Sequence, residues 1–168
     1  MGGEIALWHS LLKKLNVSCI VATSPGIGPK DKVSLLKLFL AKFMDKIYPS
    51  FSLDNGINSE LLSKDKEVIR KYKEDPLVHR KISARTGMMI LGKGKWILEN
   101  AKRNSMKILV MLASEEGLVN PDAIRTFCEQ APNVEMNFWP GLFHELHNEP
   151  EYLEVLNFTY DWIVSAAS

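Results

Sequence analysis

The sequence predicts an α/β protein in which helices flank a parallel β-sheet. Three short segments indicate strands, and they are residues 17–23 (VSCIVAT), 107–112 (KILVML) and 134–139 (VEMNFW). The first two are nearly unbroken apolar runs, as expected of parallel strands that are buried on both faces. Stretches with helical spacing lie before, between and after the strands, and this alternation is typical of a parallel sheet.

Helices are predicted on both sides of these strands. The first is predicted to have one apolar face, with Glu4 and Ser10 among its polar positions. The residues of this apolar face are Ile5, Trp8, Leu11, Leu12 and Leu15. Asn120 is expected to cap another helix, because its side-chain oxygen can accept from free N–H groups and Pro121 suits the first helical position. Outside the segment that joins the first two strands, the predicted helices are residues 4–15, 121–130 and 151–164.

The segment between the first two strands has a different character. Residues 29–105 are predicted to form a helical insertion, and no strand is expected in it. The first helix of this insertion is strongly amphipathic, and its apolar stripe includes Leu35, Phe39 and Phe43. The helices expected in this segment are residues 35–47, about 58–72 and about 83–103.

Composition and charge exclude several classes of partner. The 168 residues include 21 Lys and Arg and 20 Asp and Glu, so the formal net charge is +1. No basic run has interleaved aromatic residues, and no nucleic-acid partner is expected. Neither a secretory signal nor an apolar run of membrane-spanning length is evident. We therefore expect a cytoplasmic protein in which Cys19 and Cys128 are free thiols.

Two loops at the ends of predicted strands carry candidate catalytic side chains. Glu115 and Glu116 follow the second strand, and His144 lies in the loop PGLFHELHNEP after the third. Because the carboxyl ends of parallel strands meet at one edge of a sheet, a carboxylate there could orient the imidazole. Solvated loop glutamates and a surface histidine are the alternative interpretation. No metal site is predicted, because His144 and His147 lack a supporting ligand pattern.

Four sequence segments carry a resemblance to one protein family. MGGEIAL at residues 1–7 resembles the second half of a nucleophile elbow written Gly-x-Ser-Met-Gly-Gly. IVATSPGI at 20–27 resembles a strand that ends in Ser-Pro, and residues 51–86, which include DPLVH, resemble a helical cap. WPGLFHELHNEPE at 139–151 resembles a loop with a catalytic histidine. Together these segments resemble the monoacylglycerol lipases and lysophospholipases, which are serine aminopeptidase-like α/β-hydrolases.

This resemblance implies a fold and a set of roles. Residues 1–168 would form the C-terminal half of an α/β-hydrolase domain, with the cap inserted at 29–105. His144 would act as general base and then general acid, and Glu116 falls where the family has its triad acid. Met1 would follow the nucleophilic serine, so that its backbone N–H lines the oxyanion hole. The implied substrates are esters of single-chain lipids, and no cofactor is expected.

The apolar stripe of the first cap helix has two interpretations. The resemblance implies that Leu35, Phe39 and Phe43 cover an acyl-chain pocket. The alternative is that the stripe packs against the sheet as part of the core. The same stripe would also permit peripheral contact with a membrane.

The chain departs from the family pattern at the nucleophile and at the acid. No elbow serine is present, so the nucleophile is expected just before Met1, in an N-terminal half that could be a separate partner. The family's usual His-Gly-Ser-x-Asp appears as Leu-Ala-Ser-Glu-Glu at residues 112–116. Ser24 ends a strand but precedes Pro25, so it is not favoured as a substitute nucleophile. Two hypotheses follow: part of a lipase that is inactive as given, or a non-catalytic lipid-binding or protein-interaction module.

Overall fold

The computed structural model describes residues 1–13, 15–30 and 33–168, and Lys14, Asp31 and Lys32 lie outside the described residues. In chain order the helices and strands are α1 (Gly2–Leu12), β1 (Cys19–Thr23), α2 (Leu35–Ile47), β2 (Ser52–Asp54), α3 (Lys66–Glu74), β3 (Lys81–Ser83), α4 (Ala84–Asn100), β4 (Lys107–Ala113), α5 (Pro121–Gln130), β5 (Val134–Trp139) and α6 (Tyr152–Ala167). Short 3-10 helices cover Ser59–Leu61, Ala101–Arg103 and Leu146–Asn148.

A parallel sheet forms the centre of the fold. β4 lies between β1 and β5, and both neighbours run parallel to it. The register pairs Val21 of β1 with Leu109 of β4. Residues 108–113 of β4 are all buried, as the apolar run of this strand predicts. The predicted order of helices around a parallel sheet is therefore confirmed.

The two faces of β4 pack into two hydrophobic clusters. Successive strand side chains point to opposite faces, so the apolar run of β4 fills both. Ile108 and Val110 pack in a cluster with side chains of α1, α4 and α5, including the fully buried Phe127. Leu109 and Met111 pack in a second cluster with side chains of α6 and of the loop before it. The sheet is thus covered by helices on both sides.

The buried face of α1 differs from the predicted one. Leu7 and Leu11 are buried, but Ile5, predicted to lie on the apolar face, is 54% exposed. Glu4 and Ser10 are buried, so their placement on a solvent-exposed polar face was wrong. The reason is that α1 packs against both β1 and α4, and two contact surfaces extend burial beyond a single apolar stripe.

The segment between β1 and β4 contains a small antiparallel sheet as well as helices. β2 pairs with β3, and Leu53 lies opposite Ile82. The expectation of no strand in this segment was therefore wrong, because strands of three residues are too short to show an alternating pattern. The helix predicted at about 58–72 is divided into the 3-10 helix Ser59–Leu61 and α3. The insertion boundaries 29–105 remain a prediction.

Helix α2 exposes its apolar side chains instead of burying them in a core. None of its residues is buried, and Leu35, Phe39 and Phe43 are 84%, 66% and 52% exposed. The interpretation that this stripe packs against the sheet was therefore wrong.

No helix in residues 1–13, 15–30 and 33–168 is both long enough and apolar enough to cross a membrane.

Gly94 allows α4 to pack directly on the loop that follows β1. A Cβ atom at this position would lie 2.9 Å from both the carbonyl carbon and the carbonyl oxygen of Ile27. These are backbone atoms, so the clash could be relieved only by moving α4 or the loop. Replacing Gly94 with alanine is therefore expected to lower the free energy of unfolding by about 1–3 kcal/mol, as measured by urea denaturation.

Gly92 is the matched control for this prediction. It lies in the same helix, but a Cβ atom there would meet no atom within 4 Å. Gly92→Ala is expected to raise the free energy of unfolding by about 0.5–1 kcal/mol, because alanine loses less backbone entropy in a helix than glycine. Equal stability changes for the two variants would contradict the close packing of α4.

Candidate active site

Two loops meet at the carboxyl edge of the sheet. They are the loop between β4 and α5 (residues 114–120, the acid loop) and the loop between β5 and α6 (residues 140–151, the histidine loop). Glu116 lies after β4, and His144 lies between β5 and α6. The Nδ1 atom of His144 is 3.0 Å from Oε1 and 2.9 Å from Oε2 of Glu116. Because an ionised carboxylate only accepts hydrogen bonds, Nδ1–H is the donor in this pair. The Nε2 atom of the neutral imidazole is then left to accept a proton.

The Glu116 carboxylate is held by the backbone as well as by the imidazole. Its side chain is 1% exposed, and Oε1 accepts from the N–H groups of Leu118 (2.8 Å) and Val119 (3.1 Å). Burial by itself would raise the pKa of Glu116, but His144 and the backbone N–H of Leu118 contribute to lowering it. The net result is a pKa of Glu116 below its ordinary value. The acid is therefore ionised at neutral pH.

The two candidate glutamates have different environments. Glu115 is exposed, and its Oε1 accepts from the Ser114 hydroxyl at 3.0 Å. The structure brings Glu116, and not Glu115, to the imidazole of His144. The His144 side chain is 22% exposed, whereas the Glu116 side chain behind it is 1% exposed and sealed from water.

The segment around the 3-10 helix Ser59–Leu61 contacts both loops. The backbone N–H of His144 donates to the Leu61 carbonyl at 3.4 Å. The Leu61 side chain also packs on Gly117, where a Cβ atom would lie 2.7 Å from Cδ1 of Leu61. Leu61 therefore contacts the acid loop and the histidine loop at the same time.

Glu149 is a second buried carboxylate near the site, and the sequence analysis missed it. It is 1% exposed, and its Oε1 accepts from the backbone N–H of Phe143 at 2.8 Å. Both its oxygens lie 3.3 Å from the backbone nitrogen of Lys64. Glu149 thus connects the histidine loop to the segment before α3. A glutamate before Pro150 resembles an ordinary exposed helix start, so the sequence offered no distinguishing signal.

The N-terminus of α1 lies beside the acid loop. A Cβ atom on Gly26 would lie 3.9 Å from the nitrogen of Met1 and 3.9 Å from Cγ1 of Val119. A Cβ atom on Gly3 would lie 3.2 Å from Cβ of Pro25, so the helix start is packed on the loop after β1. Free N–H groups and the helix dipole make a helix N-terminus favourable for a negatively charged oxygen. Met1, the predicted oxyanion position, therefore lies close to the acid loop.

Two cavities border Met1. The larger has a volume of about 760 Å³ and lies between the start of α1 and the segment from β2 to α4. Its walls include Ile82 and Ile90 together with the polar His79 and Lys81. A smaller cavity of about 250 Å³ is almost entirely apolar. The stripe of α2, formed by Leu35, Phe39 and Phe43, contributes to the lining of neither cavity.

Two buried serines of the described chain make no hydrogen bond to the imidazole of His144. Ser24 and Ser10 are 4% and 3% exposed, and the Ser10 hydroxyl donates to the Leu7 carbonyl at 2.8 Å. Within the described residues neither hydroxyl is hydrogen-bonded to His144. In the same part of the chain, no group of three or more His, Cys, Asp or Glu side chains is arranged to hold a metal ion.

Comparison with known proteins identifies the family. The family model described as serine aminopeptidase, S33, matches residues 1–151. The chain belongs to this family. The match includes α1, the segment between β1 and β4, and both members of the Glu116–His144 pair.

Individual relatives agree with this assignment. The chain is 30% identical over 168 residues to a monoacylglycerol lipase of Mycolicibacterium smegmatis, covering 98% of this chain and 60% of the relative. It is 29% identical over 163 residues to the phospholipase YtpA of Bacillus subtilis, covering 92% of this chain and 61% of the relative. The crystal structure of a Paleococcus ferrophilus monoacylglycerol lipase superposes with a TM-score of 0.91 at 26% identity, covering 98% of this chain and 65% of that one.

The chain therefore spans about 60% of the length of these two curated relatives. The structural match confirms the predicted α/β-hydrolase fold, and the family match confirms the predicted similarity to monoacylglycerol lipases.

Proposed function

We propose that this chain supplies the acid and the base of a serine hydrolase that cleaves carboxylic esters of single-chain lipids. The observation that carries this proposal is the contact of 2.9 Å between Nδ1 of His144 and the buried carboxylate of Glu116. Such a pair orients an imidazole as a general base and stabilises the imidazolium when it forms. The cavity of about 760 Å³ beside Met1 is of a size that suits a small lipid, and it borders the proposed oxyanion position but is lined by neither His144 nor Glu116.

The proposed reaction uses the pair in two steps. A serine hydroxyl attacks the ester carbonyl while Nε2 of His144 takes its proton, and the N–H groups at the start of α1 stabilise the oxyanion. His144 then gives the proton to the leaving alcohol as the ester C–O bond breaks. Water, activated by the same imidazole, hydrolyses the acyl-enzyme and releases the fatty acid.

The nucleophile of this proposal lies immediately before Met1, in upstream polypeptide or in a separate N-terminal half. One supporting observation is the free edge of β1, which pairs only with β4 among the described residues. A right-handed crossover through α1 would bring a preceding parallel strand to that edge. We expect the 168-residue chain alone to show no ester hydrolysis above background, because neither the nucleophile nor a complete oxyanion hole is present in it.

A chimaera tests the proposal. The part of the M. smegmatis lipase that precedes the matched segment is fused to Met1, and this chimaera is compared with the 168-residue chain. Both are assayed for fluorophosphonate labelling and for hydrolysis of a monoacylglycerol. We expect only the chimaera to react, and we expect His144→Ala in the chimaera to abolish turnover.

A folded chimaera that neither labels nor hydrolyses the ester would overturn the proposal. That outcome would support the second candidate, a non-catalytic lipid-binding or protein-interaction module. The exposed stripe of α2 and the free edge of β1 are the observations that favour this candidate. Fluorophosphonate labelling of the 168-residue chain itself would show that a serine within it, such as Ser24, is nucleophilic.

The proposal includes peripheral contact of α2 with a lipid surface. Phe39 and Phe43 are 66% and 52% exposed on one helix, and burying them in a membrane interface would be favourable. The double variant Phe39→Asp, Phe43→Asp is expected to bind phosphatidylcholine vesicles at least about tenfold more weakly in a sedimentation assay. Tyr160→Asp is the control, because Tyr160 is 67% exposed on α6. Equal vesicle binding by the unsubstituted chain, the double variant and the control would contradict a membrane contact through α2.

A further inference from the structure

Ser24 has an unusual backbone conformation at the end of β1. Its φ is +39°, a value that few residues other than glycine adopt. Its backbone N–H donates to the Met111 carbonyl at 2.8 Å, which anchors the residue beside the end of β4. Strained backbone of this kind persists where surrounding contacts enforce it, and it is common at functional sites.

The hydroxyl of Ser24 is buried and makes no hydrogen bond within the described residues. The residue is 4% exposed, and its Oγ atom has no hydrogen-bond partner among the described residues. A buried hydroxyl is costly unless it finds an acceptor. β1 and β4 are paired through Thr23 and Met111, so Ser24 lies at the same edge of the sheet as the loop that carries Glu116. The Ser24 hydroxyl is also one of the groups that hold the pKa of Glu116 below its ordinary value.

The Glu116 carboxylate has an unused acceptor position. Oε1 accepts from the backbone N–H groups of Leu118 and Val119 and also faces His144, whereas Oε2 has only its contact with His144. A carboxylate oxygen can accept two hydrogen bonds, so Oε2 has room for a second donor. The charged group of Lys30 does not fill this position, because its Nζ donates to the backbone carbonyl of Glu116 at 3.2 Å.

We propose that Ser24 is a positioning residue whose hydroxyl donates to Oε2 of Glu116 and holds the carboxylate against Nδ1 of His144. Ser24 itself transfers no proton to a substrate in this arrangement. The catalytic value of the contact rests on the proposed hydrolase function. The contact itself does not depend on a nucleophile, so it can be tested in the 168-residue chain.

The test is a pH titration of the Glu116 side-chain carboxyl carbon by 13C NMR, combined with thermal melting. Ser24→Ala removes a donor to the ionised form, so we expect the pKa of Glu116 to rise by about one pH unit. Ser24→Gly should cause the same rise but melt at a higher temperature than Ser24→Ala, because glycine relieves the positive φ. Ser24→Thr keeps the hydroxyl, so it should preserve the wild-type pKa of Glu116 although it melts earlier.

Ser10→Ala is the matched control, because it also deletes a buried serine hydroxyl but one that donates to the Leu7 carbonyl. It should leave the titration of Glu116 unchanged. An unchanged titration in both Ser24→Ala and Ser24→Gly would overturn the inference, whatever their melting temperatures. If the chimaera is inactive but Ser24→Ala raises the pKa of Glu116, the hydrolase proposal fails and the contact between Ser24 and Glu116 stands. If the chimaera is active but the pKa of Glu116 is unchanged in Ser24→Ala and Ser24→Gly, the hydrolase proposal stands and the contact does not.

Discussion

Replacing Glu116 with glutamine in the chimaera is expected to lower kcat by about 10⁴-fold. The glutamine oxygen can still accept from the backbone N–H groups of Leu118 and Val119, so the loop should keep its shape. The NH2 group would then face Nδ1 of His144. Nδ1 would have to accept instead of donate, and the ring proton would move to Nε2, which is the atom that must take the proton from the serine.

Glu116→Asp separates the effect of charge from the effect of position. It keeps the carboxylate but shortens the side chain by one methylene, so we expect a loss of kcat of about 10–100-fold. Fluorophosphonate labelling rates should fall in parallel with kcat, and thermal melts establish that each variant is folded. A Glu116→Gln variant as active as the parent chimaera would show that Glu116 does not orient the base.

The central sheet could be predicted because its signals are local. A strand buried on both faces needs consecutive apolar residues, and β4 shows this in its own sequence. The start of α5 could be predicted for the same reason. The Asn120 side chain accepts from the N–H groups of Asp122 and Ala123, which are only two and three residues away. Such contacts depend on neighbours in the chain, and a single sequence contains them.

The features of the fold and the site that could not be predicted depend on contacts between residues far apart in the sequence. Glu149 is buried because it binds the backbone of Lys64, 85 residues away, and nothing near Glu149 in the sequence signals that partner. The pairing of β2 with β3 is also a long-range contact between strands too short to be recognised. The approach of Glu116 to His144 follows from the meeting of strand ends, but the choice of Glu116 over Glu115 depended on the family resemblance.

Glu4 was predicted to lie on the polar face of α1, but the structure buries it, and this burial affects the stability of the fold. Glu4 is 2% exposed, its Oε1 has no hydrogen-bond partner among the described residues, and it borders an apolar cavity. Burial raises the pKa of Glu4 from 4.5 to about 7, although the ammonium group of Met1 and a backbone hydrogen bond with Gly94 oppose the rise. The folded protein therefore holds a proton on Glu4 at pH values where the unfolded chain has lost it.

The free energy of unfolding is consequently expected to fall as the pH rises from about 4.5 to 7. A group whose pKa is raised in the folded state stabilises it fully below the unfolded pKa, and this contribution is lost as the pH passes the folded pKa. The loss from Glu4 is expected to be about 3 kcal/mol. The pKa of Glu116 is lowered in the folded state, so its contribution to stability is lost as the pH falls. This loss occurs below the ordinary pKa of a glutamate, whereas the loss from Glu4 occurs above it.

Urea denaturation at a series of pH values measures this effect, with Glu4→Gln as the test and Glu129→Gln, at an exposed position on α5, as the control. Glu4→Gln should remove most of the slope between pH 4.5 and 7, whereas the control should retain it. In the chimaera, Met1 carries an amide in place of the ammonium group that lowers the pKa of Glu4. The slope should then continue to a higher pH than in the 168-residue chain. A slope that is unchanged by Glu4→Gln would mean that water reaches this carboxylate and that α1 is not closed over it.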